Sequence, residues 1–180
     1  MARVLLVTGG ARSGKSAYAM RRALELPRPR AYIATCPVID AEMERRIQRH
    51  RAQRDPNEWT TLEAPLELED VLRASAHYSV RLIDCLTLWV NNLLFEEARL
   101  PQPLDEDSMV QRGRGLLDAA ASLPGHVIFV TNETGMGIVP DNPLARRYRD
   151  LAGRLNQTIA AGAHEAVLTV AGLPLHLKGS

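Results

Sequence analysis

Lys15 and Ser16 close an eight-residue run, Gly9-Gly10-Ala11-Arg12-Ser13-Gly14-Lys15-Ser16, that satisfies the pattern G-x-x-x-x-G-K-[ST]. Residues of these types at this spacing hold phosphates. The outer glycines let the backbone turn tightly enough for successive N–H groups to converge on phosphate oxygens. Lys15 adds a point charge at the β- and γ-phosphates, and the Ser16 hydroxyl is a hard oxygen ligand suited to Mg²⁺. The flanks supply the context this chemistry needs. Arg3 to Thr8 reads as a short buried strand, and Ser16 to Leu26 reads as a helix stopped by Pro27. A glycine-rich turn that binds nothing is the alternative, and it does not require a strand before it and a helix after it. The chain is expected to bind a nucleoside phosphate.

Three other groups of residues carry possible chemistry. Asp84 ends the apolar run Val80-Arg81-Leu82-Ile83, where P-loop enzymes keep an acid for Mg²⁺ or its water shell. The competing reading of Asp84 is a helix N-cap. His50 and Arg54 extend a stripe with Met43 and Ile47 on a helix expected from Asp40 to Arg54. In one reading His50 is a boundary residue and Arg54 snorkels. In the other His50 is a nucleophile or base beside a phosphate held by arginines. Finally, Asn132-Glu133-Thr134-Gly135-Met136-Gly137-Ile138-Val139-Pro140 follows a strand end, where ligands of open α/β sheets bind. Its glycines allow unusual backbone angles and close approach of a ligand, or simply a tight connection. Glu133 and Asp141 are its acids. His77, His126, His164 and His176 sit singly and read as structural.

The elements that must position these residues alternate between strand-like and helix-like along the chain, the pattern of a parallel sheet covered on both faces. Strands are expected at Ala31–Thr35, Trp59–Leu62, Val80–Asp84, Val127–Val130, Ala166–Val170 and Leu173–Leu177. Helices are expected from Pro65 to Ala76, Leu86 to Glu97, a segment ending near Ser122, and from Pro143 with Leu144, Tyr148, Leu151, Leu155 and Ile159 on one face. At 180 residues the chain reads as one domain spanning 1–180, with no repeat or low-complexity tract. Its 22 basic and 21 acidic side chains balance to a net charge of +1, which argues against nucleic acid or a membrane surface as the main partner. No apolar run is long enough to span a bilayer. Cys36 and Cys85 are too few for a disulfide framework, so a reducing cytoplasm is the expected location.

Taken together, the motifs resemble the bifunctional adenosylcobinamide kinase/adenosylcobinamide-phosphate guanylyltransferase family of cobalamin biosynthesis. The resemblance rests on Thr8 to Ser16, Tyr32-Ile33-Ala34-Thr35, Glu42-Met43, Arg46-Ile47-Gln48-Arg49-His50, Trp59 and Leu93-Leu94-Phe95. It continues through Val130-Thr131-Asn132-Glu133, Gly135 to Pro140, Leu144-Ala145-Arg146 and Gly153-Arg154. These pieces span nearly the full length in order, and the Gly-Met-Gly-Ile-Val-Pro and Arg-Ile-Gln-x-His segments are more specific than the P-loop.

The resemblance implies a RecA-like P-loop fold, a homotrimer, and two activities. The first phosphorylates the aminopropanol hydroxyl of adenosylcobinamide with ATP or GTP. The second transfers GMP from GTP onto that phosphate through a covalent histidine, which falls on His50. The implied nucleotide site comprises Gly9, Gly10, Ala11, Arg12, Ser13, Gly14, Lys15 and Ser16, the turn Ala34-Thr35-Cys36, the segment Arg51-Ala52-Gln53-Arg54, Glu63 and Asp84. Lys15 and His50 are the implied catalytic residues, and Ser16 and Asp84 the implied Mg²⁺ ligands. Three positions depart from the family pattern: Cys36 stands where a serine can stand, Asp84 where a glutamate can, and Arg49 where a second histidine can precede the active one. A P-loop kinase of another small alcohol and a nucleotide-controlled switch are the competing functional classes. Protein labelled by GTP carrying a radioactive α-phosphorus separates the preferred reading from both.

Overall fold

The computed structural model describes residues 1–36 and 55–179. Strands β1 (Arg3–Gly9), β2 (Arg30–Ala34), β3 (Thr60–Glu63), β4 (Val80–Asp84), β5 (His126–Val130), β6 (Glu165–Val170) and β7 (Leu173–Lys178) form one sheet. Among the described residues five α-helices join them: α1 (Lys15–Leu24), α2 (Leu68–Ala74), α3 (Leu86–Phe95), α4 (Glu106–Ser122) and α5 (Pro143–Gly162). The spatial order is β3-β2-β4-β5-β1-β6-β7, with every neighbouring pair parallel except β6 and β7. Strand β5 therefore separates the P-loop strand β1 from the Asp84 strand β4. This is the α/β architecture expected, and the inserted strand fits its RecA-like form.

Alternation along the strands builds two cores. Val4, Leu6, Ile83, Val127 and Phe129 point to one face, where they meet Leu86, Trp89 and Leu93 of α3, Leu116 and Ala120 of α4, and Leu151, Leu155 and Ile159 of α5. Leu5, Val7, Leu82, Ile128 and Val130 point to the other, where they meet Tyr18, Ala19 and Ala23 of α1 together with Tyr32 and Trp59. Helix starts follow local chemistry. Asp105 and Ser108 form a reciprocal capping box at α4, and the Asn142 side chain caps α5 just before Pro143. Ala171 (φ 51°) and Gly172 (φ 81°) make the two-residue turn between β6 and β7, whose positive angles match the twist of a tight hairpin.

Two expectations shift. The helix after Pro65 begins only at Leu68, because side chains claim the preceding carbonyls: Asn92 donates to Pro65 O and the Trp89 indole to Leu66 O. Leu144 was expected on the apolar face of α5 but is 53 % exposed, lining a shallow cleft with Leu94, Phe95 and Tyr148 instead.

Candidate active site

The P-loop is held in shape from outside. Gly14 takes φ 95° as the N-cap of α1, and a Cβ there would stand 3.0 Å from the Gly172 Cα in the β6–β7 turn. Gly172 N donates to Ser13 O (2.9 Å), the Ser13 and Thr169 hydroxyls share a hydrogen bond (2.8 Å), and Thr169 Oγ1 also donates to Thr8 O (3.2 Å). A Cβ at Gly9 would fall 2.4 Å from Ser13 Oγ and 2.5 Å from Thr169 Oγ1, so this contact requires glycine. Arg12 adopts φ 55°, uncommon for a residue with a side chain, and completes the turn.

The cradle suits an anion. Among the described residues no side chain caps the first amides of α1, and its first turn carries no acid, so those N–H groups and the helix dipole favour an anion. Lys15 reaches back over the loop, its Nζ donating to Gly10 O at 3.1 Å. Lys15 and Ser16 are both half-buried.

Strand register brings several of the expected residues into one row. Glu63, Ala34 and Asp84 are Cα partners across β3, β2 and β4, and the row continues through Val130 of β5 to Val7 of β1. All lie at the C-terminal ends of parallel strands, the edge where open α/β sheets bind ligands. Four inter-strand steps of about 4.8 Å put Glu63 roughly 19 Å from the P-loop strand. Beyond the row, Thr35 locks two strand ends together. Its hydroxyl donates to Cys85 O (2.8 Å) and accepts from Cys85 N (2.9 Å), while its carbonyl accepts from Asn92 Nδ2 (2.7 Å). Cys36 is half-buried directly after it.

Asp84 is not a helix cap. Cys85 occupies the N-cap position of α3, and the Asp84 carboxylate instead accepts from the Tyr32 hydroxyl at 3.1 Å through Oδ2. Tyr32 is itself braced edge-on against Trp59. The half-buried Asp84 carboxylate, one oxygen oriented by a phenol, and the half-buried Ser16 hydroxyl are both hard oxygens of the kind Mg²⁺ takes. Burial, reinforced by the neighbouring Asp84 charge, pushes the pKa of the Cys85 thiol up.

A polar network that the sequence did not signal lies beneath β5. Cys85 Sγ contacts Thr87 Oγ1 (3.2 Å), which accepts from Asn132 Nδ2 (2.8 Å). Asn132 O accepts from Asn156 Nδ2 (3.0 Å), whose Oδ1 accepts from Thr131 Oγ1 (2.7 Å), and the Tyr148 hydroxyl donates to Thr87 O (3.2 Å). The strand end thus ties the start of α3 to the middle of α5. The only hint in sequence was polar residues ending an apolar strand. Gly135 and Gly137 do not use glycine's left-handed freedom, since neither takes a positive φ.

The expected helix from Asp40 to Arg54, with His50, Arg51, Ala52, Gln53 and Arg54, lies outside the described residues. No group of three or more His, Cys, Asp or Glu among the described residues could hold a metal ion. His164 is structural, its Nδ1 accepting from Val4 N at 3.0 Å. No helix among the described residues is long and apolar enough to cross a membrane.

Residues 5–177 match the model of a family described as cobinamide kinase / cobinamide phosphate guanyltransferase. The chain is 49 % identical over 175 residues to the bifunctional adenosylcobalamin biosynthesis protein CobP of Pseudomonas aeruginosa, covering 97 % of this chain and 96 % of that protein. It is 41 % identical over 182 residues to the bifunctional adenosylcobalamin biosynthesis protein CobU of Escherichia coli, covering 97 % and 99 %. The protein of the same name from Salmonella typhimurium is 40 % identical over 187 residues, again covering 97 % and 99 %.

Proposed function

Because the chain belongs to the cobinamide kinase / cobinamide phosphate guanyltransferase family, we propose that it performs both reactions on adenosylcobinamide at the nucleotide site built around the P-loop. ATP or GTP gives its γ-phosphoryl group to the aminopropanol hydroxyl. GTP then gives GMP to the resulting phosphate by way of His50, forming adenosylcobinamide-GDP and pyrophosphate. The observation that carries this reading is the clamped P-loop, with Lys15 folded over it, on the same sheet edge as Asp84.

Each residue has a task in this scheme. The loop amides from Gly9 to Ser16 and the Lys15 ammonium hold the triphosphate and neutralise charge that builds as a P–O bond breaks. Ser16 and Asp84 would hold Mg²⁺, which lowers the repulsion between phosphate oxygens and an incoming nucleophile. Ala34, Thr35 and Cys36 lie between the P-loop side and Glu63 along the edge. Glu63, at the far end of the row, offers a carboxylate that accepts from the N–H groups of guanine. Arg51, Ala52, Gln53 and Arg54 follow His50 directly and would bring charge to the transferred phosphate.

His50 splits one transfer between two bulky anions into two displacements. A neutral imidazole nitrogen attacks the α-phosphorus of GTP, pyrophosphate leaves, and the acceptor phosphate then attacks the histidine-bound GMP. The proposal also places the protein in the cytoplasm as a homotrimer. The exposed edge of β7, with Leu173, Leu175 and Leu177 each more than half exposed, supports an assembled form.

The decisive experiment compares the parent protein with His50→Ala, using GTP labelled at the α-phosphorus, Mg²⁺ and adenosylcobinamide. The parent should carry acid-labile, base-stable label and make adenosylcobinamide-GDP. The variant should carry none and stop at adenosylcobinamide phosphate, because phosphoryl transfer needs no covalent enzyme intermediate. A variant that makes adenosylcobinamide-GDP at the parent rate removes His50 from the mechanism.

A further inference from the structure

We propose that Glu133 is the general base of the kinase step, taking the proton from the acceptor hydroxyl as it attacks the γ-phosphorus. The inference rests on the kinase reading above. It starts from topology: β5 runs between β1 and β4, so the residues that follow Val130 emerge between the P-loop and Asp84. The parallel pairing with β1 continues past the strand, with Thr131 N donating to Val7 O (3.0 Å) and Glu133 N donating to Gly9 O (3.0 Å). Lys15 Nζ donates to the next carbonyl, Gly10 O, at 3.1 Å. The main chain of Glu133 and the ammonium that grips the terminal phosphates are therefore anchored on consecutive P-loop residues.

The side chain is also prepared for the task. Glu133 is half-buried, and its Oε1 accepts from Gly135 N at 2.7 Å. A Cβ on residue 135 would lie 3.1 Å from that oxygen, so glycine there leaves room for the carboxylate to fold over the amide. The second oxygen has no partner among the described residues. Asp84 on the neighbouring strand is less suited to the role, because its carboxylate is oriented by Tyr32 and serves as a metal ligand in the proposed scheme. A carboxylate held by one amide, its second oxygen open to a hydroxyl and its main chain anchored on the P-loop, is what removal of a hydroxyl proton requires.

The step balances without a further reagent. The hydroxyl oxygen forms a bond to the γ-phosphorus, its proton passes to Glu133, and the bond to the bridging oxygen breaks with its electron pair leaving on the nucleoside diphosphate. Guanylyl transfer needs no such base, since its acceptor is a phosphate oxygen with no proton to give up. The proposal therefore separates the two activities in the opposite sense from His50.

The test measures Glu133→Gln and Glu133→Asp in three assays: phosphorylation of adenosylcobinamide, guanylyl transfer to adenosylcobinamide phosphate, and equilibrium binding of GTP. For Glu133→Gln the kinase kcat should fall by about a hundredfold or more. Guanylyl transfer and GTP affinity should stay within about threefold of the parent, and Glu133→Asp should keep part of the kinase rate. Kinase kcat unchanged in Glu133→Gln would overturn the proposal. Equal losses in all three assays would overturn it too, by showing that Glu133 only shapes the P-loop. A parent protein that does not phosphorylate adenosylcobinamide would instead remove the kinase reading itself.

Discussion

The P-loop and the segment from Thr131 to Pro140 leave the ends of neighbouring strands, and each carries glycines two or more residues apart. They are built in opposite ways. The P-loop is tied along its whole course, by Ser13 to Thr169, by Gly172 to Ser13 O and by Lys15 to Gly10 O, with Gly14 against the hairpin turn. Among the described residues the second segment is fastened near its two ends, its start also through Glu133 N to Gly9 O. Thr131 and Asn132 are held from α3 and α5, and Arg146 donates to the carbonyls of Pro140 and Asp141. Between these anchors Met136, Ile138 and Val139 are 79 %, 97 % and 57 % exposed. In the P-loop, glycine answers a backbone angle and a steric contact. In the other segment it answers neither demand, apart from the space Gly135 leaves for Glu133. A preorganised cradle suits a group common to both proposed reactions, the triphosphate, because no energy is then spent ordering the loop at each turnover.

The harshest way to break the comparison is to remove the charge over the cradle. Lys15→Ala should abolish both phosphoryl and guanylyl transfer, each falling at least about a hundredfold, because both steps stabilise developing charge on the same phosphates. Rate assays of the two steps check this. Near-normal kinase turnover would show that the clamped loop is not the shared site.

A paired glycine experiment tests the contrast itself. Gly14→Ala forces a side chain into φ 95° with its Cβ 3.0 Å from the Gly172 Cα, and backbone cannot move aside cheaply. The expected loss is about 1–3 kcal/mol of stability, read from urea unfolding, together with weaker nucleotide binding. Gly137→Ala meets nothing within 4 Å and does not start from a positive φ, so it should stay within about 0.5 kcal/mol of the parent. Equal effects at the two sites would erase the distinction.

How much of this was legible in sequence depends on the range of the interaction that decides it. The P-loop with its strand and helix was readable because the motif is local and its mechanism fixes residue types over eight positions. Strand positions were readable from runs of apolar residues, and the Asp84 strand was found that way. Arg81 shows the limit of that reading. It sits inside the same strand and is fully buried, with its guanidinium satisfied by the carbonyls of Ser75, Ala76 and Pro124 and the Ser75 hydroxyl. Burial pushes its pKa down, and only the folded loops reveal what offsets that cost. The clamp on the P-loop was invisible for a related reason. Ser13 and Thr169 are 156 residues apart, and their meeting depends on β6 pairing with β1 in one register. Asp84 had two local readings, and Tyr32, 52 residues away, decides against the cap.

The mildest substitution sharpens the contrast most finely. Ile138 is 97 % exposed, the highest value among the large apolar side chains of the segment from Thr131 to Pro140. A side chain that buries no surface contributes no transfer free energy, and its removal leaves no cavity. Ile138→Ala should therefore change unfolding stability by no more than about 0.5 kcal/mol. GTP affinity should also be unchanged, because no hydrogen bond that anchors the P-loop runs through Ile138. Urea midpoints and GTP titrations across a range of protein concentrations give both readouts. A concentration-dependent loss of stability would mean that this residue is covered by a second chain. A loss independent of concentration would mean that the segment packs back on its own sheet. Either result would end the contrast between a clamped loop and one fastened near its two ends.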